Sequence, residues 1–491
     1  MYKGMIVLSI FVPTIAGIGV FGLKSMEKAA IRNVVVTIVL VLNGCFSILM
    51  LNAPFDACIL FYLTKEIPAL FQVDRLSKLF GAITAALWIC CGIFSFEYTK
   101  HEIDRRRYYG YLLITLGMVN GVCFAGNLPT LYMTFEMMSV VSTPLVLHSL
   151  EEDAVKAGMK YLFYSIGGAS LALFGIVYLS TVVTSNQFMA GGTLDMAAVG
   201  GHTNLFLAMI FLCILGFGVK AGMFPFHGWL PTAHPVAPAP ASALLSGVIA
   251  KAGVIAIMRV IFYTTGAEII RGTWVQMTWI ILAVISIFMG SMQAYREPLF
   301  KKRLAYSTVS QISYILVGLA VLNQAGFLGA LLHTVFHAVI KGTSFLCAGA
   351  IMYKTNIVRV DGLNGIGKKM PVIMWSFIFS SLAIIGIPPT SGFVSKWFLA
   401  EGALASDLSF WSGFIPIILL VSALLTAGYM LPIIIHAFFP GPDYDYKGST
   451  SLETSGLLVV PILVLGITTV VLGMFPGPLI RFISEIGQLV Q

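Results

Sequence analysis

Residues 211–251 read FLCILGFGVKAGMFPFHGWLPTAHPVAPAPASALLSGVIAK. The stretch starts as an apolar helix and places Lys220 inside it. It then breaks at Pro225, carries His227 and His234 through a proline-rich bend, and re-enters an apolar helix that holds Lys251. A cation at the centre of a membrane helix costs at least about 2.5–3.5 kcal/mol. A chain that retains two of them beside a broken helix uses them, and the common use is to move ions or protons.

Composition fixes the setting. The 491 residues are 58% hydrophobic and 10% charged, with a mean hydropathy of +0.93. Soluble domains carry about 25% charge, so this is a polytopic membrane protein. The net charge of +8 sits in short loops between apolar spans, which fits the positive-inside bias better than a nucleic-acid partner. The seven cysteines form no CxxC pair and have no metal-ligand spacing. The first apolar segment follows only Lys3, has no small-residue cleavage site, and reads as a retained span.

Windows of about 20 apolar residues predict an all-α protein with fourteen spans. They lie near 5–23, 33–52, 77–98, 109–126, 129–150, 159–184, 204–234, 239–262, 274–295, 306–322, 325–353, 372–404, 411–438 and 457–476. Residues 53–76 read as a connection too polar to span. The seventh span is interrupted by FPFHGWLP and the twelfth by GIPPTSG. With this count, eighteen of the 29 lysines and arginines fall on one face, seven on the other and four inside spans. The bias puts both termini outside a cell membrane. The two breaks lie five spans apart, so the chain divides into 1–108, a five-helix repeat at 109–262, an inverted second repeat at 263–440, and 441–491. Inverted repeats with discontinuous helices are a recurring transporter plan.

Within the spans, Glu136 is the one carboxylate placed well inside, and Lys220 is the cation of matching depth. Paired, each would stabilise the other's charge; parted, the lysine would release its proton more readily. A static ion pair locking two helices is the alternative. Lys251 lies about half a bilayer from its span end, too deep to reach the interface easily. His333, His337 and Lys341 recur at i, i+4 and i+8, one face over about 12 Å, as a proton relay needs. Two histidines four apart can also bind metal, but no carboxylate or cysteine nearby completes a set. Lys396 follows the second break, whose prolines and glycines free backbone carbonyls. His227 and His234 could link Lys220 to Lys251, or serve the hinge. No phosphate-binding loop, dinucleotide fingerprint, haem or iron–sulfur spacing is present, so no cofactor or metal is expected and any pumping is driven from outside the chain.

The segments FEMM, GVKAGMFPFHGWLPTAHPVAPAPASALLSGVIAKAGVIAIMR, KKRLAYSTVSQISYILVG, HTVFHAVIKGTSFLCAGAI and GIPPTSGFVSKWFL resemble the proton-translocating antiporter-like family. That family comprises the large membrane-arm subunits of respiratory complex I, the large subunits of Mrp-type Na+/H+ antiporters, and homologues in membrane-bound energy-converting hydrogenases. The resemblance covers about residues 77–440. It implies fourteen helices with inverted five-helix repeats, and proton-carrying roles for Glu136, Lys220, Lys251 and Lys396, with polar positions at His333, His337 and Lys341. It further implies other membrane subunits as partners, a peripheral iron–sulfur arm in a redox-driven complex, and protons, with Na+ the alternative ion in an antiporter lacking a redox partner. In the implied mechanism, a charge change in a neighbouring membrane protein perturbs a Glu136–Lys220 pair, and the proton passes through Lys251 and the histidines to Lys396. A structural scaffold, in which the buried charges only specify packing, is the remaining reading.

Overall fold

A computed structural model describes every residue except 1, 66, 103, 442–443, 445–451, 453–454 and 490–491. Helices α1 (Tyr2–Gly22) and α2 (Ala29–Leu51) lead into an antiparallel hairpin, β1 (Asp56–Tyr62) and β2 (Pro68–Val73). Then come α3 (Arg75–Tyr98), α4 (Arg105–Phe124), α5 (Leu128–Val146), α6 (Glu152–Leu179), α7 (Thr203–Ala221) and α8 (Leu230–Val236). The second half holds α9 (Ala239–Thr265), α10 (Trp274–Arg296), α11 (Phe300–Ala320), α12 (Gln324–Thr355), α13 (Pro371–Ile385) and α14 (Ser391–Leu404). The chain closes with α15 (Phe410–Phe438), α16 (Gly456–Met474) and α17 (Gly477–Leu489). Among the described residues, ten helices are long and apolar enough to cross a membrane. This is an integral membrane protein.

The hairpin departs from the all-α expectation. Residues 53–76 are too polar to span, but Ala69, Leu70, Phe71 and Val73 alternate little and are all buried. β2 docks into the helices, with Gly126 N–H donating to Leu70 O at 2.8 Å, and β1 pairs with it from Asp56 opposite Val73 to Tyr62 opposite Pro68. The hairpin also locates the chain ends. Lys3 lies 3.8 Å from Asp56, and Arg75 forms an ion pair with Glu485 of α17. Lys3 and Glu485 therefore both lie beside the hairpin and the start of α3.

Burial identifies the centre. The apolar window of α9 is wholly buried and that of α12 is 94% buried, against 33% for α1, α15 and α16. Helix starts are fixed by local chemistry: Asp74 and Ser77 form a reciprocal capping box on α3, Asn127 caps α5 and Asn323 caps α12, each satisfying backbone donors with no partner in the first turn.

Both expected interruptions are present. α7 ends at Gly222, φ +75°, and α13 ends at Gly386, φ +95°, left-handed positions that glycine takes without a Cβ clash. Beyond Gly222 the chain runs through a 3₁₀ turn at Phe226–Trp229 into α8. Beyond Gly386 it turns through two prolines and re-enters as α14 at Ser391. A third irregularity was not expected: α9 contains π-helical turns at Leu245–Ile249 and Ile261–Thr265.

Candidate functional site: a buried row of basic groups

Lys220 is 1% exposed and meets hydroxyls. Its Nζ donates to Tyr161 Oη at 2.7 Å, Ser139 Oγ at 2.9 Å and Ser165 Oγ at 3.1 Å. It also stands 4.3 Å from the Tyr161 ring centroid, a cation–π contact. Tyr161 is held in turn by Ser142, 2.6 Å away. The expected Glu136–Lys220 pair is absent: no ion pair within 4.0 Å joins them among the described residues. Among the described residues, Glu136 accepts one hydrogen bond, from Tyr132 Oη at 3.4 Å. It lies half-buried on the α5 flank beside the exposed Met137 and Val140. The reason is angular. Ser139, three residues on and about 60° round the helix, is the side chain that bonds Lys220, and Glu136 stands half-buried to one side of it.

Lys251 finds its partners in its own helix. Nζ donates to Gly247 O at 2.8 Å and Ser246 O at 3.0 Å. The π turn shifts the ladder, Ala250 N–H reaching Leu245 O at 2.9 Å, and the wider turn presents those carbonyls to the ammonium. α9 sits close to its neighbours on both sides. A Cβ at Gly253 would fall 2.3 Å from Phe217 O, beside Lys220, and one at Gly247 would fall 3.5 Å from Ala338 O, beside His337. Only glycine permits the first approach.

The other end is a ladder. Lys396 Nζ donates to Ile384 O at 2.6 Å and Ile385 O at 2.9 Å, the carbonyls at the end of α13. It stands 5.0 Å from the Tyr314 ring. Tyr314 stacks on His333 at 5.6 Å, and His333 on His337 at 5.9 Å. His333 is fixed at both ring nitrogens, Nδ1 to Ser395 Oγ at 2.9 Å and Nε2 to Gln311 Oε1 at 3.1 Å. His337 is buried, and neither ring nitrogen meets a hydrogen-bond partner among the described residues.

The remaining expected residues lie off this line. Lys341 donates to Leu304 O at 2.9 Å. His234 stacks on Phe345 at 4.7 Å. His227 is half-buried against Phe224, ring centroids 6.2 Å apart. Among the described residues, no hydrogen bond ties His227 or His234 to Lys220 or Lys251. The same residues contain no group of three or more histidine, cysteine or acidic side chains that could hold a metal ion.

Two constellations escaped the sequence reading. Arg259, one of the seven cations counted on the second face, is fully buried and bidentate on Asp74, at 2.5 and 3.0 Å. Burial by itself would raise the Asp74 carboxyl, but the guanidinium and the Ser77 backbone N–H hold it below the ordinary 3.8. Lys301, assigned to a loop face, is buried with Nζ on Pro235 O at 3.1 Å and Ala237 O at 2.5 Å. The signal for Arg259 was its place inside the 239–262 window, eight residues from Lys251. Tyr161, Ser139 and Ser165 gave none, since hydroxyls are common in membrane helices.

The fold and this row define a class: an integral membrane protein whose centre carries basic groups and in which, among the described residues, no carboxylate is bonded to Lys220, Lys251, His333, His337 or Lys396. Residues 125–433 match the family described as NADH:quinone oxidoreductase/Mrp antiporter, TM, and the chain belongs to it, as an antiporter-like membrane subunit. It is 33% identical to NADH-quinone oxidoreductase subunit N of Desulforudis audaxviator (strain MP104C), over 84% of this chain and 83% of that one. It is 30% identical to a Na(+)/H(+) antiporter subunit of Bacillus subtilis (strain 168), over 78% and 76%. A solved structure of the Mrp complex from Dietzia sp. DQ12-45-1b contains a similarly folded chain, with a TM-score of 0.84 at 22% identity over 99% of this chain and 97% of that one.

Proposed function

We propose that this chain is the proton-translocating membrane subunit of a redox-driven complex related to complex I and membrane-bound hydrogenases. The observation that carries the reading is the row Lys220, Lys251, His337, His333, Lys396: five exchangeable groups deep in a membrane protein, each held by neutral partners or by none. Neutral hydroxyls and carbonyls can serve both the charged and uncharged lysine, which a fixed carboxylate would not. A proton on Lys220 moves through Lys251 to the histidines and on to Lys396, with His333, hydrogen-bonded to Ser395 next to Lys396 in sequence, as the last histidine of the route. Glu136 is half-exposed on the flank, so it acts from a distance as the receiver of charge changes in a neighbouring subunit. His227, His234 and Lys341 serve the entry side.

In the same proposal the chain spans fourteen times, with two inverted five-helix repeats at 109–262 and 263–440. Matched breaks at Gly222 and Gly386 support this. Both termini lie outside the cell membrane. The partners are other membrane subunits with a peripheral iron–sulfur arm. The identity to an NADH-quinone oxidoreductase subunit over most of both chains supports the redox drive.

The second reading, a subunit of an Mrp-type Na+/H+ antiporter without a redox partner, is favoured by the 30% identity to the Bacillus subtilis antiporter protein. Capture of the complex through this chain from gently solubilised native membrane, followed by mass spectrometry, separates them. Co-purifying iron–sulfur subunits are expected; small membrane subunits alone would move the assignment to the antiporter. Full pumping by Lys220→Ala with assembly intact would sink both and leave a packing role.

A further inference from the structure

We propose that the groove between α3, α12, α16 and α17 seats one acyl chain of an anionic phospholipid, with the headgroup phosphate held by Lys78, Arg75 and Arg481. The groove has a volume of about 560 Å³ and is lined by apolar side chains, among them Leu79, Ile83, Ala86, Val339, Leu472 and Phe482. From Leu79 to Cys90, both in its wall, α3 rises about 16 Å. That matches one leaflet of a hydrocarbon core about 30 Å thick. A spanning helix is about 30 Å long and about 10 Å wide, on the order of 2,000 Å³, which the groove cannot seat. An acyl chain fits both the length and the volume.

The headgroup end is set by sequence. On α3 the lining positions 79, 82, 83 and 86 form one stripe, and one turn earlier the same stripe carries Arg75 and Lys78. Arg481 lies exposed on α17, three residues after the lining Pro478. Arg75 pairs with Glu485 across the end of the groove, and Lys78 Nζ donates to Ala53 O at 2.5 Å. Asp74, next in sequence, is committed to Arg259. Among the described residues, Arg75 and Lys78 stand at the α3 end of the apolar slot with Glu485 paired to Arg75, and Arg481 lies one turn before Glu485 on α17. The excess positive charge suits a phosphate, and the slot below it suits the chain attached to that phosphate. The inference is independent of the transport reading: it concerns the face of α12 at Val335 and Val339, about half a turn round from His333 and His337.

The test is native mass spectrometry of the full-length protein released from nanodiscs made with phosphatidylglycerol or with phosphatidylcholine. The wild type should retain one phosphatidylglycerol. Lys78→Gln combined with Arg481→Gln should lower its retention about thirtyfold, and Ala86→Phe, which fills the slot, should also lower it with the cations intact. Equal retention in both variants, or equal retention of phosphatidylcholine by the wild type, overturns the assignment. A phosphatidylglycerol with a photoreactive acyl chain gives a readout on the unmodified protein. Adducts on the Ala86 or Val339 peptides support the proposal, whereas cross-linking of Ala86→Cys to a neighbouring protein in native membranes would put a protein there and refute it.

Discussion

The two helix breaks solve the same problem with opposite parts. At each, a helix stops at a left-handed glycine inside the membrane region, and carbonyls at its end lose their helical partners. At the first, the indole Nε1–H of Trp229 donates to Val219 O at 2.8 Å, so a neutral aromatic caps the helix and Lys220 is left to hydroxyls from α5 and α6. At the second, Lys396 itself caps Ile384 and Ile385. One lysine is a guest in a polar socket; the other is part of the scaffold that holds its helix end. A proton leaving Lys220 removes a charge from hydroxyls that can re-pair, since Tyr161 already has Ser142. At Lys396 a neutral amine still has hydrogens to donate to the carbonyls, so loss of the proton need not open the break, but loss of the side chain does.

This contrast can be broken by experiment. The largest effect should be on transport: Lys220→Ala and Lys396→Ala should each cut proton uptake by membrane vesicles about a hundredfold, the scale of a positioned proton-transfer group, read by quenching of a pH-gradient dye with assembly checked on native gels. Next in size is a position outside both breaks. Arg259→Gln strands Asp74 and should cost about 3–5 kcal/mol, visible as a large fall in melting temperature in detergent that Asp74→Asn partly restores. The same pair has a pH signature. Because the Asp74 value is lowered on folding, its contribution is complete above the ordinary 3.8 and is lost as pH falls through the lowered value. Melting of the wild type should therefore drop in that acid window, and the double variant should drop less.

A finer comparison sets the lysines against each other. Lys396→Met leaves two buried carbonyls without donors and should cost about 1–3 kcal/mol. Lys220→Met removes a buried charge from groups that keep other partners and should leave stability unchanged or higher. Equal destabilisation by the two would end the distinction between guest and scaffold. The smallest effect belongs to Trp229→Phe, which removes one of the two donors on Val219 O and leaves the Gly222 N–H at 3.1 Å; it should cost about 0.5–1 kcal/mol and loosen the first break in hydrogen exchange while leaving the second untouched.

Much of the site was legible in the chain because its causes are local. Proline and glycine spell out both breaks, since they remove a donor or admit a left-handed turn wherever they stand. His333 and His337 could be stacked on paper from helical spacing alone, and the structure puts them 5.9 Å apart. Lys220, Lys251 and Lys396 were found by depth within apolar windows. The hairpin at 56–73 was missed because its strands are short and become stable only when β2 is buried on α4 and α5.

What the sequence by itself determined is where the membrane helices run, where two of them break, and which basic groups they bury. Those follow from hydropathy and backbone chemistry within a few residues. Only the tertiary structure decided who meets whom. Lys220 met hydroxyls 55–81 residues away instead of the carboxylate of matching depth, and Asp74 met Arg259 across 185 residues. Partner choice depends on the rotation of one packed helix against another, and the roughly 60° that separates Glu136 from Ser139 on α5 is enough to decide which of them bonds Lys220.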